Sequence, residues 1–215
     1  MNNNILNLRF DILDNKRQAL LDGLLPFTKD FVLAGGTGLA LQIGHRKSFD
    51  FDFFSQEHIA KNFLEKLSQA IRIASISVDS EDELTFFTRD DVKVTFLYYP
   101  FSHAYPPLNV KENFRLFTVQ DIACQKAYTV GRRGEYRDYF DLYTILKKDY
   151  ISFPDLIKIT KQLYQGIFDE KLFLEQLVYF TDLLNLTIIP VNRQPLPSPE
   201  EVKQFFIDLI NKYLA

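Results

Sequence analysis

The stretch Phe31–Ser55 reads "FVLAGGTGLALQIGHRKSFDFDFFS" and constrains the fold more than any other part of the chain. An apolar run halts at Gly35, Gly36 and Thr37. Further on, Asp50 and Asp52 sit inside the greasiest segment. A strand accommodates this pattern, because residues i and i+2 share a face. Asp50 and Asp52 then point one way, while Phe49, Phe51 and Phe53 point the other way into a core. Two carboxylates held side by side repel each other unless a cation sits between them, and a divalent metal is the usual occupant. The glycines let backbone approach a ligand closely. The helix expected over "TGLALQIG" turns its N-terminal N–H groups and positive dipole end to the same spot, where phosphates fit. Strand, Gly-Gly-Thr, helix and Asp-x-Asp strand together describe a site for a triphosphate and its metal.

The rest of the chain reads as a mixed sheet half followed by a helical half. "DNKRQALLDGLLPF" predicts a helix ending near Leu25, before Pro26. "DFVLAG" is a short buried strand, and Gly44 is placed to close the next helix in the left-handed conformation. "SFDFDFFS" is a strand, and "QEHIAKNFLEKLSQAI" has helical spacing. Alternation broken by "DSED" and "RDD" predicts antiparallel strands near 71–79, 83–88 and 92–99. Pro100, Pro106 and Pro107 mark a loop. From Thr118, a residue suited to cap a helix, the pattern is helical: "VQDIACQKAYTVG", "EYRDYFDLYTILKK", "SFPDLIKITKQLYQGI" and "DEKLFLEQLVYFTDLLN". "NRQPLPSP" is a proline-rich linker, and Ser198-Pro199-Glu200-Glu201 then has the signature of a capped helix start. The expected fold class is α+β: a mixed β-sheet core with flanking helices over 1–117 and a helical region over 118–215.

Composition excludes several classes. A formal net charge of −3 leaves no global basic footprint for nucleic acid. No apolar run approaches the ~20 residues that span a bilayer, and the first residues lack a secretory signal. The one cysteine, Cys124, rules out intramolecular disulfides, suits a reducing compartment and reads as buried filler. The expected location is the cytoplasm. The 21 Phe and 11 Tyr supply a large core.

At "GGTGLALQIGHRKSFDFDFF" the sequence resembles the AbiEii/AbiGii toxin family of the DNA polymerase beta-like nucleotidyltransferase superfamily. The resemblance continues at "DIACQKAYTVGRRGEYRDYFDLY", where a helix carries Lys126, a Gly-Arg turn follows, and Arg137-Asp138 precedes Asp141. It implies that Gly35, Gly36 and Thr37 cradle the nucleotide phosphates and that Asp50 and Asp52 bind Mg²⁺ or Mn²⁺. Lys126 would contact the triphosphate. Of Asp138 and Asp141, one turn apart, one would face the site while the other pairs with Arg137 or Arg132. Arg46 and Lys47 suit phosphate or nucleic acid, or else a solvated basic corner. Arg132, Arg133 and Arg137 form a local basic cluster that suits RNA, or else balances nearby acids.

The implied reaction transfers a nucleoside monophosphate from an NTP to a hydroxyl of RNA, such as a tRNA, or of protein, in a cleft that the helical region completes. The implied setting is a toxin of a toxin–antitoxin or abortive-infection system, with an antitoxin as partner. One departure stands out. The superfamily commonly has a third acid on a later strand, where "VKVTFLYY" offers Thr95. Another carboxylate such as Asp138 then serves, or water or substrate takes the proton, or the chain binds nucleotide without turnover. Haloacid dehalogenase phosphatases also use Asp-x-Asp, but they want Thr or Val where this chain has Phe54.

Overall fold

The computed structural model describes residues 7–130, 132–183, 185–191 and 195–215. Of the expected proline-rich linker, residues 192–194 lie outside the described residues, as does 131 in the Gly-Arg turn. The chain divides into two compact units. The first comprises the residues through Phe101 together with Pro106–Thr118; the second comprises Ser102–Tyr105 and Val119–Ala215.

Among the described residues, the first unit is built on strands β1 (Val32–Leu33), β2 (Phe51–Ser55), β3 (Ile73–Asp79), β4 (Glu83–Thr88), β5 (Lys93–Tyr98), β6 (Leu108–Lys111) and β7 (Phe114–Leu116). Their order in the sheet is β3-β4-β5-β2-β1-β7-β6. The β2–β5 and β1–β7 pairs are parallel and the others antiparallel, so the sheet is mixed, as the sequence predicts. Helices α1 (Asn15–Leu24), α2 (Gly35–Ile43) and α3 (Phe63–Ala70) belong to the same unit. Alternation in β2 sorts its side chains as expected: Phe51 and Phe53 are fully buried, while Asp52 and Phe54 are half-buried. Phe53 stacks on Phe96 of β5 at 5.2 Å, and Phe31 and Phe63 meet Phe96 edge-on at 4.9 and 4.8 Å. Such rings contribute roughly 1.5–3 kcal/mol each by burial. Gly44 closes α2 at φ 59°, with its N–H on Ala40 O.

The structure corrects several boundaries. β2 begins at Phe51, so Asp50 lies just outside the strand. α3 begins only at Phe63. Strands β6 and β7 arise in a segment with no strand expectation; they turn at Asn113, which has φ 57°.

The second unit holds α4 (Val119–Thr129), α5 (Tyr136–Lys147), α6 (Phe153–Leu163), α7 (Glu170–Leu177) and α8 (Pro199–Leu214). Its core gathers Ile122, Leu142, Ile145, Leu156, Leu177 and Phe206. Asp121 of α4 accepts from the backbone N–H groups of Ala104 (2.8 Å) and Tyr105 (3.3 Å), which ties the 102–105 segment to this unit. Cys124 is fully buried as expected, and burial pushes its thiol up to about 12, so it stays protonated. α7 ends well short of its expected length. The Tyr139 hydroxyl takes the Gln176 carbonyl, and Phe180 packs edge-on against Tyr139 and Tyr136. Tertiary packing there overrides helix propensity. Among the described residues, no helix is long and apolar enough to cross a membrane.

The helix start at Ser198 forms as a capping box. Ser198 Oγ accepts from the Glu201 N–H (3.1 Å), and Glu201 returns the bond to the Ser198 N–H (2.7 Å). Ser198→Ala should cost about 1 kcal/mol, the usual value of an N-cap, read as a shift in the urea midpoint.

Candidate functional site

In the first unit, the end of β1, the start of α2 and strand β2 meet at one point. Ala34 donates its N–H to Asp52 O at 2.9 Å. Gly35 follows at φ 59°, a left-handed conformation that disfavours any side chain. A Cβ at Gly35 would lie 2.5 Å from Asp52 Oδ2, so the backbone rests directly against the carboxylate. A Cβ at Gly36 would meet Arg46 Nη2 at 2.5 Å and Ser48 Oγ at 3.0 Å. The Thr37 hydroxyl donates to the Asp50 carbonyl and lies 2.9 Å from Ser48 Oγ. Gly35, Gly36, Thr37, Arg46, Asp50 and Asp52 are therefore one neighbourhood. Gly38 N–H is bonded to Ala34 O, and the three N–H groups before it have no acceptor within the helix.

The Thr37 hydroxyl is engaged by the backbone carbonyl of Asp50. Arg46 is 3 % exposed and donates to Lys47 O at 3.0 Å, so it is no solvated corner. Sequence reasoning missed Ser48 and Arg17. From α1, Arg17 donates Nε to Phe49 O at 3.0 Å and lies over the Phe49 ring at 4.7 Å, bracing the approach to Asp50. An arginine on an amphipathic helix gave no signal of that task.

Thr95 stands opposite Asp52 in the parallel β2–β5 pair, and Thr85 of β4 stands opposite Thr95. Paired residues share a sheet face. The position next to Asp52, where a third acid was sought, is thus a threonine.

Gly35→Ala should lower stability by about 1–2 kcal/mol from the left-handed backbone alone. It should lower it further because the new methyl must displace Asp52. The check is a denaturation midpoint measured with and without Mg²⁺ and NTP; loss of the ligand-dependent increment marks the displaced carboxylate.

In the second unit, Lys126 of α4 is 5 % exposed, and Asp138 and Asp141 of α5 are 1 % and 0 % exposed. Lys126 Nζ lies 2.5 Å from Asp138 Oδ1 and 3.0 Å from Asp141 Oδ2. Arg133 reaches the same Asp138 with Nε at 2.7 Å and Nη2 at 3.0 Å. Burial would push the Asp138 carboxyl up, but Lys126 and Arg133 outweigh it and hold the group below its ordinary range. The expected partners of this pair were Arg132 or Arg137; the observed one is Arg133. Arg132 instead stacks on Tyr128 at 4.2 Å and donates to the carbonyls of Tyr128 and Ile167, while Arg137 pairs with Glu135 at 3.1 Å. The three arginines therefore have separate tasks rather than forming one basic patch.

A cation in the first unit would have two carboxylates, Asp50 and Asp52, as its protein donors. Among the described residues, no group of three or more His, Cys, Asp or Glu assembles for a metal. Mg²⁺ commonly takes one or two carboxylates and fills its octahedron with water and substrate phosphate, so Asp50 and Asp52 fit that ion.

Comparison with known proteins gives a family and a fold. Residues 19–209 match a family model described as "Nucleotidyl transferase AbiEii toxin, Type IV TA system". An uncharacterized protein of Aquifex aeolicus (strain VF5) is 32% identical over 197 residues, covering 88% of this chain and 91% of that protein. The crystal structure of a candidate nucleotidyltransferase from H. pylori superposes with a TM-score of 0.51 at 19% identity, covering 94% of this chain and 99% of that one. At that identity the likeness concerns the fold.

Proposed function

This chain belongs to the AbiEii nucleotidyltransferase toxin family of type IV toxin–antitoxin systems, and on that premise we propose that it moves a nucleoside monophosphate from an NTP to an acceptor hydroxyl. The observation that carries this reading is the contact of Gly35 with the Asp52 carboxylate at the N-terminus of α2. A phosphate chain can bind the helix N–H groups there, and Asp50 and Asp52 would hold a divalent cation beside it. Mg²⁺ or Mn²⁺, when bound, supplies the charge that neutralises the reacting phosphates. Asp50 and Asp52 would hold it, Gly35, Gly36 and Thr37 would present N–H groups to the phosphates, and Arg46 would add positive charge beside Gly36. The resemblance assigns Lys126, Asp138 and Asp141 to the same reaction, with Lys126 on the triphosphate side. The acceptor is a hydroxyl of RNA, such as a tRNA, or of protein, and an antitoxin counters the activity in a cytoplasmic setting.

The test is transfer of label. With Mg²⁺ and total cellular RNA or protein, label from the α-phosphate should enter the macromolecule, and γ-label should leave as pyrophosphate. Transfer of γ-label instead would make the chain a phosphotransferase. The second reading is a nucleotide-binding module without turnover, favoured by Thr95 opposite Asp52. NTP binding with no label moved across acceptors would establish it.

A further inference from the structure

The sheet face that carries Asp52 continues across β5 and β4 as a row of polar side chains. Thr95 is opposite Asp52, and Thr85 is opposite Thr95. Glu83 lies two residues before Thr85 and so shares that face. These groups are hydrogen-bonded in series: Thr85 Oγ1 lies 2.6 Å from Glu83 Oε1 and 3.2 Å from Thr95 Oγ1. Hydrogen-bond chemistry fixes the direction. An ionised carboxylate only accepts, and a hydroxyl has one proton to give. Thr85 therefore donates to Glu83, and Thr95 donates to Thr85. Thr95 keeps lone pairs with which to accept a further proton. Thr85 and Thr95 are buried, at 3 % and 8 % exposed, while Glu83 at the end of the series is half-buried and able to exchange protons with water.

We propose that Glu83 is the base of the transfer, reached through Thr95 and Thr85. The inference rests on the transferase reading and supplies what β5 lacks beside Asp52. As the acceptor oxygen bonds to the α-phosphorus, the bond from that phosphorus to the leaving pyrophosphate breaks. The acceptor's proton passes to Thr95 Oγ1, the proton of Thr95 to Thr85 Oγ1, and the proton of Thr85 to the Glu83 carboxylate. Both threonines end neutral, Glu83 ends as a carboxylic acid, and it returns its proton to solvent. Thr95 is the group that touches the acceptor; Glu83 acts through it.

Glu83→Gln keeps the shape and an acceptor for Thr85 but is too weakly basic to take the proton. Turnover of α-labelled NTP with Mg²⁺ and total cellular RNA should fall about 100-fold with KM for NTP unchanged, the usual contribution of a general base. Thr95→Val should lose a similar factor, and the double variant should be no slower than either single one, because both interrupt one relay. Thr95→Asp in the Glu83→Gln background puts a carboxylate directly beside Asp52. It should regain about tenfold or more, which a merely structural role would not produce. Thermal shifts with Mg²⁺ and NTP, equal to wild type, keep misfolding out of the comparison. A Glu83→Gln or Thr95→Val chain that turns over like wild type overturns the relay while the transferase reading stands. A wild-type chain that moves no α-label overturns both.

Discussion

Lys126→Met should destabilise the second unit by about 3–5 kcal/mol, the cost of removing one partner from a buried ion pair. This exceeds the roughly 1.5–3 kcal/mol expected from losing a charged hydrogen bond to a phosphate. The reason is the position of the ammonium between Asp138 and Asp141, both essentially unexposed and three residues apart on α5. Methionine fills the space and leaves two buried carboxylates without the cation between them. The response to pH should change sign. In the wild type, Asp138 is held below its ordinary value of 3.8, so its contribution is present above that value and is lost as pH falls through the lower folded-state value. In the variant, burial dominates and a carboxyl binds a proton more tightly folded than unfolded. Stability should therefore rise as pH drops from neutral toward the ordinary carboxylate range. Urea midpoints at several pH values read both effects. An unchanged midpoint would mean that Lys126 does not hold these two acids together.

The sequence made some of this legible. Asp-x-Asp among phenylalanines announced a strand with one greasy and one acidic face, and Phe51 and Phe53 against Asp52 bear that out. Gly44 announced a left-handed helix end. Asp138 and Asp141, one turn apart, announced an arginine partner for one of them. Which partner was not legible. The choice of Arg133 over Arg132 depends on the ring of Tyr128, itself stacked on Tyr164 at 4.2 Å, which holds the Arg132 guanidinium. That is a three-body packing fact with no local signature. β7 escaped for a similar reason: it has three residues and pairs in parallel with β1, distant in sequence. The Thr95–Thr85–Glu83 series required the register of three strands, whereas alternation within each strand gave only its faces.

Asp52→Asn should abolish most transfer, by about 10²–10³-fold, the usual scale for losing one preorganised electrostatic contact to the reacting group. The protein should stay folded. Asn has the shape of Asp, and Asp52's backbone carbonyl still accepts from Ala34 N–H. Asp50→Asn should act similarly, since the carbonyl that Thr37 holds belongs to the main chain and survives the change. With both replaced, two negative charges leave this neighbourhood, and the chain should stay folded because the main-chain bonds of Asp50 and Asp52 survive. What should vanish is the rise in the thermal midpoint when Mg²⁺ and NTP are added together. A ligand held only by the folded state stabilises it in proportion to RT ln(1 + [L]/Kd), so a hundredfold excess over Kd is worth about 2.7 kcal/mol. The variant should show almost none of that increment. NTP alone, bound through the α2 N-terminus, should still give a small rise. A double variant that keeps the full Mg²⁺-dependent increment would place the metal elsewhere, and the contact between Gly35 and Asp52 would then be a packing feature of the turn.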